Sequence, residues 1–298
     1  MVHAQRVFEV SERRACRALD VPRSSLRYRP VKQERDRPLL DRLVELKARH
    51  PRYGYRRMWA LFRREGWRVN RKRVQRIWRE QGFKVPQRQR KKRRLGSSEN
   101  SCVRLRPQYR NHVWSYDFTM DQTADGGRLK MLPVLDEYTR ECHTIEVERS
   151  ITAEDVIQTL KYLFQVHGEP EYLRSDNGPE FIAEAVKQWL AEAGVKTAFI
   201  EPGSPWENAY IESFNGRLED ELLARELFGS LAEASVLVEG YRLEYNHERP
   251  HSALGYRTPV EFAGVCGHDN VASAADAAPA FDRPSRGEEE INLSQILP

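Results

Sequence analysis

At 298 residues the chain has room for two domains with a core of ordinary size. Its formal charge of +5 conceals a division: residues 1–100 hold 31 Lys/Arg against 10 Asp/Glu, a net of +21, while residues 101–298 hold 18 against 34, a net of −16. Four scattered cysteines with no CxxC pair exclude a disulfide framework, and no apolar run reaches membrane-spanning length, so reduced thiols and a cytoplasmic location are expected. Residues 1–100 offer only His3, Cys16 and His50 as zinc ligands, too few for a four-ligand site. The excess of Arg there fits phosphate contacts, and a merely well-solvated basic half is the plainer explanation.

Ser11 is placed to cap a short helix over 12–19, and after Asp20-Val21-Pro22 a second helix can span 23–28. This basic segment, 1–36, is either a helix-turn-helix presenting Arg23, Ser24, Ser25 and Arg27 to DNA or an irregular arm. Three helices then follow within 37–85. Leu39, Leu43 and Leu46 mark the first, which stops at Pro51. Met58, Leu61 and Phe62 mark a second over 55–65, and Asn70 caps a third over 71–81 with Val74, Ile77 and Trp78 inward. A tight turn before a basic helix predicts a helix-turn-helix DNA-binding domain. Arg71, Lys72, Arg73, Gln75, Arg76 and Arg79 are its expected DNA contacts, against the alternative of a solvated basic face. Lys91, Lys92, Arg93 and Arg94 lie in a basic linker, 86–105, that can follow a DNA backbone.

The second domain, 106–264, opens with an alternating strand over 113–120. Trp114, Tyr116, Phe118 and Met120 share one face, and Asp117 shares the other with Val113, Ser115 and Thr119. Strands at 129–135 and 142–147 make three antiparallel strands. Thr152 caps a helix to about 167, a short strand over 172–175 delivers Asp176 at its carboxyl end, and a helix over 181–193 and a strand over 197–200 follow. Strand–strand–strand–helix–strand–helix–strand–helix is the order of a ribonuclease H-like mixed α/β fold. The next helix starts in the capping box Ser204-Pro205-Trp206-Glu207, which gives Glu207 a structural task. Its buried stripe is Tyr210, Ile211, Phe214, Leu218 and Leu222; Asn208, Glu212, Asn215 and Glu219 form a polar stripe, placing Glu212 two turns in at the margin of the core. Ser230 caps a helix to about 245, and residues 265–298 have the composition of a disordered tail.

Asp117, Asp176 and Glu212 are thus brought forward by a strand, a strand end and a helix. Carboxylates sharing a cleft repel one another, and a cation or a shared proton relieves this. Mg²⁺, satisfied by a few carboxylate oxygens with water and phosphate, suits the set. Two ions could activate an attacking hydroxyl and stabilise a leaving oxygen in line across phosphorus.

The residues Trp114-Ser-Tyr-Asp117, Ser-Asp-Asn-Gly-Pro-Glu-Phe at 175–181, Asn-Ala-Tyr-Ile-Glu-Ser-Phe-Asn-Gly at 208–216 and Tyr-Asn-His-Glu-Arg-Pro-His at 245–251 resemble bacterial insertion-sequence transposases. They match the second-frame (OrfB) type, DDE class, with a retroviral-integrase-like catalytic core. Pro-Arg-Tyr-Gly-Tyr at 51–55 is similar to that family's upstream helical domain, so the likeness spans about 37–263, and the thirty-five residues between Asp176 and Glu212 are highly specific to it. The resemblance implies hydrolysis at transposon ends and transfer of the freed 3′-hydroxyl to target DNA. It also implies Mg²⁺ (two ions, with Mn²⁺ able to substitute), a homo-oligomer on terminal inverted repeats, a first-frame (OrfA) partner or fusion, and association with the nucleoid. One position departs: the family has Lys or Arg seven residues after the third acid, and here that residue is Glu219. A DNA-binding regulator or relic that has lost catalysis is therefore the competing reading, and a nuclease of the same fold is a third.

Overall fold

The computed structural model describes residues 7–27, 31–85, 105–175, 184–199 and 208–266. Helices α1 (Glu12–Ala18) and α2 (Arg23–Arg27) follow the expected caps and breaks, with the Ser11 hydroxyl accepting from the Arg14 amide. Arg23 and Arg27 do not stand free for DNA here, since both pair with Glu12, at 2.6 and 2.9 Å.

Helix α3 (Val31–Arg49) begins upstream of its leucine repeat and runs through Pro38, which removes only one backbone donor. It packs on α4 (Tyr55–Arg64) and α5 (Arg71–Glu80) through Leu39, Leu43, Leu46, Met58, Phe62, Val74 and Ile77, all buried. The Asn70 side chain accepts from the Lys72 amide at 2.8 Å, capping α5, and the Trp59 indole donates to the Val69 carbonyl at 3.0 Å, pinning the turn between α4 and α5.

The second domain is a mixed sheet with helices on both faces, the ribonuclease H-like arrangement. Its strands are β1 (Val113–Tyr116), β2 (Thr119–Gln122), β3 (Arg128–Asp136), β4 (Cys142–Glu148), β5 (Tyr172–Ser175) and β6 (Lys196–Phe199). β3 runs antiparallel to β4 on one side and to β1 and β2 on the other, while β5 and β6 continue the sheet parallel to β1. The single strand expected over 113–120 is interrupted at residues 117–118. The register does not slip there: Tyr116 faces Val134 and Thr119 faces Met131, so residue 117 falls opposite Pro133. Odd-numbered residues of β3 turn their amides toward β1, as Glu137 does to the Val113 carbonyl. Pro133 has no amide to give, and the ladder opens beside Asp117.

Alternation divides the core. Trp114, Tyr116, Leu132 and Val134 pack against α6 (Ala153–His167) and α7 (Glu184–Glu192). Leu129, Met131, Leu135, Ile145 and Val147 pack against α8 (Ala209–Leu218) and α9 (Leu231–His247). A bulge pairs Leu135 with Cys142 and turns Cys142 onto the second face. There Asn246 clamps it, accepting from its amide at 2.9 Å and donating to its carbonyl at 2.8 Å.

After α8 the chain makes one π-helical turn, Glu219–Leu223. The wider turn shifts the facing by a residue, so Leu223 is buried where Leu222 was expected, and Leu222 is only half-buried. The chain continues through α9 to α10 (Pro259–Cys266). This stretch receives the helical domain: Arg49 pairs with Glu248 at 2.7 Å, His50 with Glu244 at 3.0 Å, Arg57 with Glu221 at 3.1 Å and Arg64 with Glu261 at 2.7 Å. Arg52 binds Asp220, its Nε at 2.9 Å.

Candidate active site

The site is assembled where β1 and β5 leave the sheet along the same edge. Ser115 of β1 lies opposite Arg174 of β5, β1 ends at Tyr116 and β5 at Ser175. Asp117 is the first residue past β1, half-buried and on the face covered by α8. Asp176 is the next residue after β5 and lies outside the described residues, as do the capping box at 204–207 and Lys91, Lys92, Arg93 and Arg94.

Helix α8 is seated by Ile211, Phe214 and Leu218, all fully buried. Asn208 is its N-cap residue, so Glu212 falls in the first turn rather than two turns in. There the amide dipoles of the helix end favour a carboxylate. Glu212 is exposed. One turn further on, Asn215 donates its side-chain amide to Asp117 Oδ2 at 3.1 Å, tying the strand carboxylate to the helix that carries Glu212.

Three buried oxygens around this junction have no hydrogen-bond partner among the described residues: Ser115 Oγ, Asn208 Oδ1 and Asn215 Oδ1. Ser115 shares the sheet face of Asp117, and the two asparagines flank Glu212 on its polar stripe. Buried polar atoms left over beside two carboxylates are the donor chemistry of a hard cation, all oxygen with no sulfur or imidazole. Among the described residues no group of three or more His, Cys, Asp or Glu is close enough to hold a metal.

The expected DNA-contacting residues of α5 divide. Arg71, Lys72 and Arg79 are exposed, and Gln75 is half-buried. Arg73 and Arg76 turn back to Asp36 of α3, at 2.7 and 2.5 Å, and Arg76 also reaches Glu80 at 3.0 Å. Burial opposes the Asp36 charge, yet the hydrogen bonds from Arg76 and Arg73 hold it below its ordinary range.

The Tyr-Asn-His-Glu-Arg-Pro-His motif acts away from this edge. Arg249, 2% exposed, grips Glu221 through two bonds of 2.7 Å. Burial opposes the Glu221 charge, yet Arg249, Arg57 and Arg217 hold its pKa below the usual value. His251, 6% exposed, stands edge-on to Tyr245 at 4.6 Å. Burial, then Arg249, Arg217 and Arg57, push its pKa down to about 2. Sequence patterning exposed the motif but not this task, because Arg57 and Glu221 lie 164 positions apart.

Comparison with known proteins first defines the class: residues 107–205 and 193–259 match integrase core domain models, and residues 33–91 match an HTH-like domain. A 31.7 kDa protein of insertion element IS407 from Burkholderia multivorans is 42% identical over 272 residues, covering 91% of this chain and 95% of that one. A putative transposase of insertion sequence IS150 from Escherichia coli K12 is 26% identical, covering 83% and 91%. The HTLV-2 integrase catalytic core solved with magnesium covers 53% of this chain and 99% of that one, at 17% identity and a TM-score of 0.43. The chain belongs to the insertion-sequence transposases of the DDE class, with an integrase-type catalytic core and an HTH-like domain before it. Among the described residues no helix is long and apolar enough to cross a membrane.

Proposed function

We propose that the protein cleaves the ends of its element and joins the freed 3′-hydroxyl to target DNA, with Asp117, Asp176 and Glu212 as the catalytic carboxylates. The observation that carries this is the Asn215–Asp117 hydrogen bond, which fixes a strand carboxylate to the Glu212 helix at the edge where β5 runs toward Asp176. Asp117, Asp176 and Glu212 would hold Mg²⁺, two ions in the fullest form and Mn²⁺ as a substitute, supplying charge neutralisation at phosphorus and a more acidic attacking hydroxyl. The chain's own part is placement. Asn215 orients Asp117 through a neutral amide, and the buried stripe of α8 keeps Glu212 at a fixed height above the sheet.

Arg71, Lys72 and Arg79 of α5 are the side chains best placed to take backbone phosphates of the terminal repeats, with Gln75 reading a base edge. Lys91 to Arg94 would extend that track. Arg73 and Arg76 serve the fold first, through Asp36. The complex on paired ends is a homo-oligomer, joined by the first-frame product.

The test is to incubate the purified protein with labelled DNA carrying the inverted repeats that flank its gene, with Mg²⁺, and to follow nicking and strand joining. Asp117→Asn, Asp176→Asn and Glu212→Gln each abolish product while DNA binding persists; full activity in any one of them would falsify the assignment of the three acids. Glu219 is exposed at the start of the π turn, where the family carries a base. Glu219→Arg is expected to raise end binding, and an unchanged affinity would count against a DNA role for this position.

A further inference from the structure

A polar cavity lies against the flank of α8 that carries Arg217. It has a volume of about 250 Å³ and is lined by Arg57, Arg140, Arg217, Arg249, Tyr210 and His251, with Ser213 and Ala253 at its margin. Arg217 follows Glu212 by five residues, so its side chain leaves the helix roughly 140° around from the carboxylate at about 100° per residue. Four guanidinium groups meet here. Among the described residues hydrogen-bonded to them, only Glu221 brings a negative charge, bound to Arg249 at 2.7 Å and to Arg57 at 3.1 Å. Arg140 lies over the Tyr210 ring at 3.7 Å, and Arg217 donates to the Ser213 carbonyl at 2.7 Å.

Among the described residues, one buried donor of this lining, Arg140 Nη1, lacks a partner. A buried guanidinium N–H without an acceptor is costly, and several cations around a cavity repel one another until an anion enters. The cations differ: against the effect of burial, Arg249 is raised by its bond to Glu221. Arg57 is pulled below the ordinary guanidinium range by burial and then by Arg249, and Arg217 is lowered by burial.

We infer that this cavity is a phosphate-binding site, holding one phosphate group of a nucleic-acid strand apart from the reacting one. Planar guanidinium forks match the tetrahedral oxygens of phosphate, and Tyr210 gives Arg140 a flat surface that fixes its fork. Arg57 comes from α4 and the other cations from the catalytic domain, so a phosphate seated here spans the junction of the two domains. The inference rests on the reading of the protein as DNA-acting. The phosphate comes either from the 5′ end of a strand or from within its backbone.

The test uses the full-length protein. Thermal unfolding is recorded in inorganic phosphate against NaCl of equal ionic strength, and fluorescence anisotropy follows a labelled single-stranded oligonucleotide with or without a 5′-phosphate. Phosphate is expected to raise the melting temperature above the NaCl control. Arg140→Gln and Arg217→Gln remove that difference and weaken oligonucleotide binding about tenfold, while Glu212→Gln keeps both. Ala253→Glu, which removes no structural charge, fills the cavity with its own carboxylate, melts higher and no longer responds to phosphate.

Preference for the 5′-phosphorylated strand identifies a strand end, and equal affinity identifies an internal phosphate. Either supports the site. No phosphate-specific effect in the wild type, or an undiminished one in both Arg217→Gln and Ala253→Glu, overturns it. A phosphate response with oligonucleotide affinity unchanged in the variants overturns the nucleic-acid assignment. Loss of strand binding in the variants, in a protein that joins no ends, leaves the cavity standing and removes the proposed reaction instead.

Discussion

On the face that meets the helical domain, Asp220, Glu221, Glu244, Glu248 and Glu261 each lie within hydrogen-bond or ion-pair reach of an arginine or histidine from residues 49–64. At the edge where β1 ends, Asp117 is met by the amide of Asn215 and Glu212 stands exposed in the first turn of α8. Both regions are acidic, but the docking face is held by cations while the Asn215 bond to Asp117 comes from a neutral group. Guanidinium groups neutralise a carboxylate and lock two surfaces together. An amide orients a carboxylate without cancelling its charge, which keeps it fit for a cation. Net charge alone therefore misleads here: part of the basic excess of the first hundred residues is spent on the chain's own acids, and only the remainder is left to DNA.

The largest way to break the contrast is Asp117→Asn, expected to lower strand joining by at least about 10³-fold with no loss of folding, read by product formation and the melting transition. Glu221→Gln strikes the docking face. It leaves Arg249 buried without its carboxylate and should cost about 3–5 kcal/mol, seen as a lower midpoint in urea and faster proteolysis between residues 85 and 105. If Glu221→Leu combined with Arg249→Met is no more stable than Glu221→Gln, the pair is not the source of that cost. Asn215→Ala sharpens the difference between an orienting amide and a neutralising base: joining should fall about 10–100-fold with DNA affinity unchanged. An equal fall in affinity would place Asn215 on the DNA instead.

His251 gives the docking region a pH signature. Its folded pKa, about 2, lies below its ordinary value of 6.5, so below pH 6.5 the unfolded chain takes up a proton that the folded chain refuses. Its stabilising contribution is complete above pH 6.5 and declines on acidification by up to about 1.4 kcal/mol per pH unit. His251→Gln should flatten the loss of stability between pH 6.5 and 4.5, and an unaltered slope would assign it to other groups, His143 among them, whose burial acts in the same direction. The smallest effect is expected from Pro133→Ala. It restores an amide opposite residue 117, leaves stability within about 1 kcal/mol and slows joining several-fold as Asp117 is drawn into the ladder. Slow hydrogen exchange at the new amide checks it.

Much of the framework was legible because it is local. Period-2 alternation assigned Trp114 and Tyr116 to one face and Asp117 to the other, and the helical repeat gave the buried Ile211, Phe214 and Leu218 of α8. Asn70, Thr152 and Ser230 cap helices as their sequence context implies. What escaped depends on distant partners. The interruption at 117–118 comes from Pro133, a residue on another strand, and the bond that joins the two halves of the site spans 98 positions. Met120, placed on one face with Trp114 and Tyr116 by alternation, is 61% exposed. The arginines of α5 looked alike in sequence, and only the packing of α3 separates Arg73 and Arg76, held by Asp36, from Arg71 and Arg79.

The π turn after α8 puts the grip for the helical domain on the same continuous length of helix that presents Glu212. Asp220 and Glu221, held by Arg52 and Arg57, sit within three turns of Glu212. The helical domain is thereby tied through α4 to the helix that carries Glu212, so a load placed on the one would be felt by the other. The Asn215 amide spans the gap from that helix to Asp117 directly, over 3.1 Å, so such a load would strain it.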